Sequence, residues 1–564
     1  MKGMPNVQSA RQFKCPSEMR EFLKRIGLGA VALLAWVILG GAELFAKDNS
    51  TLKPNIIFIL ADDLGYGDVR CLNPERGKIP TPCMDKLANQ GIRFTEAHST
   101  SSICSPSRYG ILTGRYNWRS RMQAGLVGEW GAPFGDIIGK DRLTVAGLLK
   151  QNGYNTACIG KWHLGMDWPK EVKNIKSQKP VNPETGEASE EQKTQWQKIF
   201  SQRLGDGPTT RGFDYYFGTD VPNWPPYCFI ENDKTVGIPS RWLPAKLLKN
   251  FQASTPGPAL ENWSLEAILP TLVDKACDYI ERRSKESKPF FLYLPLTAPH
   301  TPLAVTDKWK GKSGLGVYPD WVMETDAAIG KILERVDQSG AAGNTLVVLT
   351  SDNGMAPYIG VHEYEKEGHY PSEWRRGYKG DAWDGGHRIP LIARWPGVIQ
   401  PGTSSSRMVC LVDFMATCAD IIGVKLPDNA AEDSVSILPL LKGNDKPVHE
   451  AIVSHSAGGK FAIRDGKWKL QLCPGSGGPW DDPKDDQATA EGLPPIQLYD
   501  MTQDIGEQKN VQAEHPEIVE RLTKILEKYV ADGRSTPGTP QSNDAKVDIW
   551  KKRRPGAKQP KAKP

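Results

Sequence analysis

The sequence lacks several features that would place it in a special class of protein. None of its 10 cysteines forms a Cys-x-x-Cys pair or a cysteine and histidine cluster with zinc spacing, so we predict no zinc site. No internal repeat is present. The apolar run from Ile26 to Leu39 is shorter than the roughly 20 residues that a membrane span needs. What remains is an ordinary globular composition, 39% hydrophobic and 24% charged, in a chain long enough for more than one domain.

The N-terminus has the pattern of a secretory signal. Basic residues precede the apolar run, small residues follow it, and Ala46 would be the last residue removed. An uncleaved membrane anchor is the alternative, but the short run and the polar start at Lys47 favour cleavage. We therefore predict a signal peptide at residues 1–46 and an exported protein, periplasmic or secreted, that meets the membrane only during export. Export permits disulfides, whose pairing the sequence does not give.

Positive charge is concentrated at the two ends of the chain. The net charge is +5, but residues 1–46 and the tail from Lys551 to Pro564 carry an excess of lysine and arginine, and the part between them is weakly acidic. From Gly533 the sequence is rich in proline and lysine, which predicts a disordered tail over 533–564. Binding of this tail to an acidic polymer or a membrane surface is the less favoured alternative. Nothing in the pattern indicates nucleic-acid binding.

Short apolar runs alternate with segments of helical periodicity between residues 47 and 441. This alternation predicts an α/β main domain with a mostly parallel sheet between helices. The polar stretch 169–208 is interpreted as a surface insertion. After residue 441 the pattern predicts a smaller α+β subdomain at 442–532, with a short antiparallel sheet. The predicted parallel strands are Ile56–Ala61, Thr156–Gly160, Phe290–Leu296, Leu346–Thr350 and Leu391–Arg394. The predicted helices include Met84–Gln90, Leu143–Gln151, Leu272–Arg283, Trp321–Ser339 and Pro516–Asp532.

Polar side chains follow four of these strands at the point where each strand ends. They are Asp62 and Asp63, then Lys161 and His163, then His300, and finally Asp352 and Asn353. Because the carboxyl ends of parallel strands meet at one edge of a sheet, we expect these side chains to converge in one cleft. An isolated Asp-Asp pair more often caps a helix, but three carboxylates packed together require a positive charge among them. Oxygen ligands suit Ca²⁺ or Mg²⁺, and tolerance of irregular, higher coordination favours Ca²⁺.

The segment Cys104-Ser105-Pro106-Ser107-Arg108 is followed closely by Leu112-Thr113-Gly114-Arg115. Taken alone, Cys104 would be interpreted as a buried residue or half of a disulfide. The two segments together resemble the signature of type I sulfatases, in which a maturation enzyme oxidises the cysteine to formylglycine. The resemblance runs from about Asn55 to Asn510, is closest to the arylsulfatase A and N-acetylgalactosamine-6-sulfatase branch, and implies an alkaline-phosphatase-like fold. Its other segments are Ala61-Asp62-Asp63-Leu64-Gly65, Gly160-Lys161-Trp162-His163-Leu164-Gly165, Ala298-Pro299-His300-Thr301-Pro302, Ser351-Asp352-Asn353-Gly354, Gly385-Gly386-His387-Arg388-Ile389-Pro390 and Leu498-Tyr499-Asp500.

The resemblance implies a role for each matching residue. One Ca²⁺ would be bound by Asp62, Asp63, Asp352 and Asn353, with the modified Cys104 beside it. Arg108 would anchor the formylglycine hydrate, and Lys161, His163, His300 and Lys379 would surround the sulfate. The chain departs from the family pattern at Asp384, where many relatives have Glu, and at Asp504-Ile505, which replaces a common Asp-Pro. A further active-site serine of the family has no recognisable counterpart, although Asp220 and Asn223 lie near its expected place.

The chemistry expected of these residues is the hydrolysis of a sulfate ester. A divalent ion with lysine and arginine donors would stabilise the negative charge on the sulfate oxygens. One hydrate oxygen would attack sulfur, and the other would later expel sulfate as the aldehyde re-forms. His300 is the candidate general acid for the leaving alcohol, and His163 would assist the second step. Each of these side chains taken singly would be interpreted as structural, and their combination favours catalysis.

The substrate and two rival functions stay open on the sequence alone. Aromatic residues between Asp352 and His387 indicate stacking on sugars, and two arginines there, Arg375 and Arg376, would hold a second anionic group. Packing within a long loop explains these rings equally well. A sulfated polysaccharide is favoured over a small aryl sulfate, because an exported enzyme more readily meets the former. The rivals are a phosphonate or phosphate monoester hydrolase of the same superfamily and an inactive protein that binds sulfated glycans. The aromatic residues are Tyr358, Tyr364, Tyr370, Trp374, Tyr378 and Trp383, and the stretch Trp224–Asn232 is a candidate for another wall.

Overall fold

A mixed sheet of ten strands lies at the centre of the protein. The computed structural model describes residues 53–248 and 254–551, so the predicted signal peptide lies outside the described residues. The strands in chain order are β1 (Asn55–Ala61), β2 (Ile92–Phe94), β3 (Ala97–His98), β4 (Asn155–Lys161), β5 (Tyr215–Thr219), β6 (Ile230–Glu231), β7 (Lys234–Thr235), β8 (Arg241–Leu243), β9 (Gly257–Ala259), β10 (Phe290–Pro295), β11 (Thr345–Ser351), β12 (Leu391–Arg394), β13 (Thr403–Ser405), β14 (Val409–Cys410), β15 (Ile452–His455), β16 (Phe461–Asp465), β17 (Trp468–Gln471) and β18 (Gln497–Asp500). The order in the large sheet is β13-β2-β12-β11-β1-β10-β4-β5-β6-β7.

The middle of this sheet is parallel. Strands β11, β1, β10, β4 and β5 run in one direction, and side chains of β1 alternate between two cores. Ile56 and Phe58 pack on one face, whereas Ile57 and Ile59 pack on the other. A strand buried on both faces needs an almost continuous run of apolar residues. The prediction of a large, mostly parallel sheet is confirmed.

Helices cover both faces of the sheet. On the face of Phe58 lie α2, α3 and α9, and on the face of Ile57 lie α1, α5 and α6. Thr144 caps α3 by accepting a hydrogen bond from Gly147 N at 3.0 Å, as N-cap residues do. The sandwich of a sheet between helices, predicted from the sequence, is confirmed. The helices are α1 (Pro82–Asn89), α2 (Cys104–Thr113), α3 (Val145–Gln151), α4 (Glu190–Phe200), α5 (Ile268–Arg283), α6 (Val317–Gln338), α7 (Val361–Lys366), α8 (Asp384–His387), α9 (Phe414–Ile421), α10 (Leu438–Leu441), α11 (Asp485–Ala490) and α12 (Pro516–Ala531).

One strand predicted to be parallel runs in the opposite direction. Leu391–Arg394 is antiparallel to Thr345–Ser351, with Ala393 opposite Val348, so the prediction of its direction is wrong. Strand β2 is in turn antiparallel to Leu391–Arg394. A short apolar run looks the same whether the strand is parallel or antiparallel, because burial on both faces depends on which residues it contains and not on the direction in which the strand runs.

A second, four-stranded sheet follows in the C-terminal part. Strands β15, β16, β17 and β18 pair antiparallel in chain order. Helix α12 packs its apolar face, including Leu522 and Leu526, against Ile463 and Leu470 of this sheet. The predicted short antiparallel sheet is confirmed, and the domain boundaries at residues 441 and 532 stay predictions.

Two segments contact the rest of the protein more than their composition predicts. The polar stretch 169–208 contains α4, which buries Trp196 and Phe200. Residues 533–551, assigned from composition to a disordered tail, run along the body of the protein: Ile549 is buried, and Arg115 binds Asp544 at 3.1 Å. Sparse apolar and charged anchors are enough to fix a segment that is polar on average. The prediction of disorder is therefore corrected for residues 533–551, and residues 552–564 lie outside the described range.

All nine cysteines that the structure describes are free thiols. Seven of them are buried, where a small thiol packs like an apolar group. Over residues 53–248 and 254–551, no helix is long and apolar enough to cross a membrane.

Candidate active site

The strand ends that were expected to converge lie next to each other. Asp62 and Asp63 directly follow β1, and Asp352 and Asn353 directly follow β11, its parallel neighbour. All four side chains are buried. The backbone N–H of Asp63 donates to Asp352 Oδ1 at 3.2 Å, which joins the two strand ends. Asp63 has a φ of 65°, in the left-handed region that Asp and Asn enter more readily than most residues.

Two lysines and a histidine surround the first two carboxylates. Lys161, the last residue of β4, donates from Nζ to Asp62 Oδ2 at 2.7 Å. Lys379 comes from the loop before α8 and donates to Asp63 Oδ2 at 2.6 Å. His300 Nε2 lies 3.6 Å from the same Asp63 oxygen. These groups are at most 6% exposed, and charges so deeply buried persist only when they are paired.

Cys104 is the first residue of α2 and faces the same carboxylates. Its Sγ lies 3.7 Å from Asp62 Oδ1 and 4.0 Å from Asp63 Oδ1. Burial raises the pKa of the Cys104 thiol to about 12, although Lys161 and Lys379 act in the opposite direction. The unmodified side chain therefore stays a neutral thiol, which is a poor nucleophile and a soft ligand for a hard metal ion.

Arg108 lies one helical turn after Cys104 and ties the helix to the strand ends. Its Nε and Nη2 donate to Asp352 Oδ2 at 3.1 and 2.8 Å. Its Nη1 donates to the main-chain oxygen of Lys161 at 3.1 Å. The guanidinium thus contacts the ends of β11 and β4 from α2, and fixes Cys104 relative to both.

The pKa values of Asp352 and Asp62 are shifted in opposite directions. Burial raises the pKa of Asp352 to about 7, and the neighbouring Asp62 adds to this rise. For Asp62 burial acts in the same direction, but Lys161, His300 and Arg108 together overcome it and hold the pKa of Asp62 well below its usual range. The site therefore has one carboxyl group whose ionisation would be favoured by a further positive charge.

The oxygen atoms at this edge of the sheet fit a hard metal ion. Asn353 Nδ2 donates to Asp63 Oδ1 at 2.7 Å, whereas Asn353 Oδ1 is buried and has no hydrogen-bond partner among the described residues. Asp62, Asp63, Cys104 and His300 offer ligand atoms that all lie within 4.8 Å of one another. A buried amide oxygen without a donor, beside crowded carboxylates, is a suitable ligand set for Ca²⁺.

His163 lies on the other side of the site, two residues after Lys161. Its Nε2 is 2.8 Å from Val127 O, and its Nδ1 is buried without a partner among the described residues. The ring packs edge-on against Trp224 at a centroid distance of 5.6 Å. Burial, followed by the charge of Lys161, holds the pKa of His163 well below its ordinary value. The imidazole is therefore neutral, and with Nε2–H donated to Val127 O, Nδ1 is the unprotonated nitrogen.

Asp220, one of the two residues near the expected place of the missing serine, contacts the backbone of His163. The N–H of His163 donates to Asp220 Oδ1 at 3.3 Å and to Asp220 O at 3.1 Å. Burial raises the pKa of Asp220 to about 6. Asn223 is also buried. Asp220 thus supports the turn that carries His163.

A second buried group of His98, Asp384 and His387 has the spacing of metal ligands, but its surroundings favour an ion-pair network. Arg388 Nη2 donates to Asp384 Oδ2 at 2.6 Å, and Lys469 Nζ donates to Asp384 Oδ1 at 3.3 Å. These two cations already compensate the carboxylate, so a metal ion would add charge where none is needed.

The aromatic residues predicted to line the cleft have different positions. Tyr364 packs beside Tyr318, and Arg76 lies over the rings of Tyr370 and Trp374. Tyr358 is the one whose hydroxyl is a hydrogen-bond partner of Lys379 Nζ, at 3.4 Å. Sequence analysis missed Trp480, which packs on Tyr358 from a loop of the C-terminal part. Of the other predicted residues, Tyr378 and Trp383 are buried, and Arg376 lies over Trp383.

The sequence matches that of a known family. Residues 54–424 match the Sulfatase family model. The chain belongs to the sulfatase family. This sulfatase is 31% identical to the N-acetylgalactosamine-6-O-sulfatase of Bacteroides thetaiotaomicron, over 89% of this chain and 97% of that protein. It is 30% identical to human arylsulfatase A, over 86% of this chain and 90% of the relative.

Solved structures agree with this assignment. A sulfatase structure from a study of glycosaminoglycan metabolism by Bacteroides thetaiotaomicron superposes with a TM-score of 0.70 at 30% identity, covering 85% of this chain and 99% of that chain. The fold is the alkaline-phosphatase-like sandwich of the family. This sulfatase is an enzyme that hydrolyses sulfuric esters.

Proposed function

We propose that this sulfatase releases inorganic sulfate from a sulfated carbohydrate, with formylglycine made from Cys104 and one Ca²⁺. The observation that carries the proposal is the position of Cys104 at the start of α2, with Sγ 3.7 Å from Asp62 and with Lys161 and Lys379 on the adjoining carboxylates. A neutral thiol has no evident task among these charges. An aldehyde hydrate at the same position would supply an oxygen nucleophile to the sulfate.

The residues that would hold the metal ion are Asp62, Asp63, Asp352 and Asn353. They lie at the ends of two paired strands, and Asn353 Oδ1 lacks a hydrogen-bond donor among the described residues. When bound, Ca²⁺ would supply positive charge for the sulfate oxygens. It would also favour ionised Asp352, whose pKa is raised to about 7 by burial and by Asp62.

The cationic side chains would bind the sulfate group. Lys161 pairs with Asp62, and Lys379 pairs with Asp63. Because both ammonium groups are already buried and oriented, they stabilise negative charge without reorganisation during the reaction. Arg108 is committed to Asp352 and to the backbone of Lys161, so its contribution is to hold residue 104 in place.

The two histidines are suited to proton transfer. His300 Nδ1 lies 2.6 Å from Thr301 O, which fixes the ring and leaves Nε2 on the side of Asp63. Burial lowers the pKa of His300 to about 4, and a bound anionic substrate would oppose this by favouring the imidazolium. His300 would then protonate the leaving alcohol, and His163, with Nδ1 as acceptor, would assist the second step.

The substrate class follows from the relatives. The similar protein from Bacteroides thetaiotaomicron is named for the 6-O-sulfate of N-acetylgalactosamine, so a sulfated sugar is the substrate that we propose here. We also propose that the enzyme is exported after removal of residues 1–46 and that a formylglycine-generating enzyme acts on Cys104. An inactive glycan-binding protein is the less favoured alternative, because Cys104, Arg108, Lys161 and His300 are all present together at this site.

The proposal is tested on protein produced together with a formylglycine-generating enzyme. Mass spectrometry of the peptide that contains residue 104 should show the aldehyde in place of the thiol. Sulfate release from 6-O-sulfated N-acetylgalactosamine and from 4-nitrophenyl sulfate should require this modification, decline with a chelator and return with Ca²⁺. The Cys104→Ala variant is the control. Equal activity of this variant and the wild type would contradict the proposal.

A further inference from the structure

Two aromatic rings stand side by side at one edge of the active site. The rings of Tyr358 and Trp480 lie 5.2 Å apart, centroid to centroid, and meet at 60°. Tyr358 comes from the loop after β11, whereas Trp480 comes from the loop between β17 and α11. Trp480 is 38% exposed, so part of its indole is open to solvent.

The pair adjoins the sulfate-binding residues directly. Tyr358 Oη lies 3.4 Å from Lys379 Nζ, and the next residue, Gly380, contacts the indole. A side chain at Gly380 would place its Cβ only 2.6 Å from Trp480 Cε3, and Gly380 has a φ of 98°. Only glycine fits such a conformation and such a close approach without strain. The backbone beside Lys379 is therefore shaped around the ring of Trp480.

The loop that carries Trp480 is held in place before any ligand binds. Asp485 Oδ1 accepts hydrogen bonds from Gly475 N and Gly477 N at 3.3 and 3.1 Å. Ser476 O accepts from Ala382 N at 2.7 Å, which ties this loop to the one that carries Lys379. A side chain on a fixed loop loses little conformational entropy when it binds a ligand.

We propose that Tyr358 and Trp480 form a stacking platform for the sugar ring next to the sulfated one. This inference rests on the proposed function and adds that the preferred substrate has at least two sugar rings. A molecule whose sulfate lies beside Lys379 has its remaining part within reach of Tyr358, whose hydroxyl lies 3.4 Å from Lys379 Nζ. Trp480 is also within reach, because it packs on Tyr358 and against Gly380. The apolar C–H faces of pyranose rings pack on aromatic faces, and the exposed part of Trp480 extends the apolar surface that begins at Tyr358.

The test compares a one-ring with a two-ring substrate. Sulfate release is measured from 6-O-sulfated N-acetylgalactosamine and from a chondroitin disaccharide that carries the same sulfated sugar. For the wild type, kcat/KM should be higher for the disaccharide. For Trp480→Ala, the ratio of the two kcat/KM values should fall about tenfold, mainly through KM of the disaccharide, because stacking acts on binding.

Matched variants separate stacking from folding. Trp480→Leu keeps an apolar side chain over Gly380 and should show the same fall in the ratio. Trp480→Phe keeps an aromatic ring and should retain most of the wild-type ratio. Trp550 is also 38% exposed and belongs to the C-terminal segment 533–551. Trp550→Ala is the control and should keep the wild-type ratio.

The outcomes distinguish the platform from the proposed function. A wild type that carries formylglycine but releases no sulfate from either sugar or from 4-nitrophenyl sulfate overturns the proposed function and the platform together. A wild type that releases sulfate, with a ratio that Trp480→Ala and Trp480→Leu leave unchanged, overturns the platform alone.

Discussion

Replacing a buried lysine in the C-terminal sheet should lower the free energy of unfolding by a large and pH-dependent amount. Lys469 in β17 is 1% exposed and lies between two buried carboxylates. Its Nζ is 3.3 Å from Asp384 Oδ1 and 2.8 Å from Glu507 Oε1. Asp384 has a second cation, Arg388, at 2.6 Å. Among the described residues, the Glu507 carboxylate otherwise accepts from neutral donors, Asp384 N and Gln471 Nε2, both at 2.6 Å.

Replacing Lys469 by methionine keeps the volume of the side chain and removes its charge. Because Asp384 keeps Arg388, the loss falls mainly on Glu507, which becomes a buried carboxylate without a cation. Removing one partner of a buried ion pair costs about 3–5 kcal/mol of unfolding free energy. We therefore expect Lys469→Met to destabilise the protein by that amount near pH 8.

The cost should depend on pH with a known sign. Burial already raises the pKa of Glu507 above its ordinary 4.5, while Lys469 opposes the rise. Without Lys469 the folded-state pKa of Glu507 rises further. A carboxyl group whose pKa is raised on folding contributes most to the free energy of unfolding at a pH below its unfolded-state pKa. This contribution is lost as the pH increases through its folded-state pKa. The deficit of Lys469→Met should therefore shrink between pH 8 and pH 5.

Urea denaturation at both pH values measures this effect. The control is Lys467→Met, two residues earlier, because Lys467 is 49% exposed where it pairs with Asp500 and such a surface pair contributes only about 0–1 kcal/mol. The double variant Lys469→Met/Glu507→Gln should recover much of the lost stability. The reasoning is refuted if Lys469→Met costs no more than Lys467→Met, or if its cost is the same at pH 5 and pH 8.

Three further predictions concern the metal ion, the general acid and the C-terminal segment. Adding Ca²⁺ to chelator-treated protein should raise Tm, and the free energy of unfolding should increase by about 2.7 kcal/mol at a hundredfold excess of Ca²⁺ over Kd. Asp352→Asn should reduce this shift in Tm, and an equal shift in both proteins would argue against the site. His300→Gln should lower kcat on sugar sulfates by roughly 10²–10⁴-fold. It should lower kcat on 4-nitrophenyl sulfate less, because nitrophenolate needs no proton to leave. Equal losses on both substrates would exclude a general acid role. Ending the chain after Asp532 should lower Tm by removing the contacts of residues 533–551 with Arg115, and an unchanged Tm would show that this segment is dispensable.

Much of the fold could be predicted because buried strands leave a local signal. Four of the five parallel strands, β1, β4, β10 and β11, were predicted from short apolar runs, because burial on both faces imposes that pattern. The fifth, β5 (Tyr215–Thr219), was not predicted. The direction of Leu391–Arg394 left no such signal, since an apolar run is compatible with either direction. The packing of residues 533–551 depends on a few anchors, such as Ile549 and Arg534, that are dilute in a polar sequence.

The site divides in the same way. Asp62, Lys161 and Asp352 stand at strand ends, so the geometry of a parallel sheet alone brings them together. Cys104 reaches the site from a helix that no strand-end rule covers, and only the family resemblance indicated it. Trp480 was missed because its position depends on a loop of a different sheet, more than a hundred residues after Lys379 in the chain, and loop-to-loop contacts of this kind have no periodicity in the sequence.

The strand-end residues and Trp480 belong to different parts of the fold, and this separation matters for substrate specificity. In the proposed function, residues at the strand ends of the large sheet bind the sulfate, the group that every sulfatase substrate shares. Any change there would disturb the buried ion pairs of Asp62 and Asp63. Trp480 lies in a loop outside that sheet, which Asp485 holds from within and Ser476 ties to the loop of Lys379. Among the described residues, its side chain has no hydrogen bond or ion pair with Asp62 or Asp63. Substitutions at Trp480 can therefore change which sugar is preferred without altering the charges that act on the sulfate. Substrate preference in this sulfatase should accordingly vary with the loop between β17 and α11 while the strand ends stay the same.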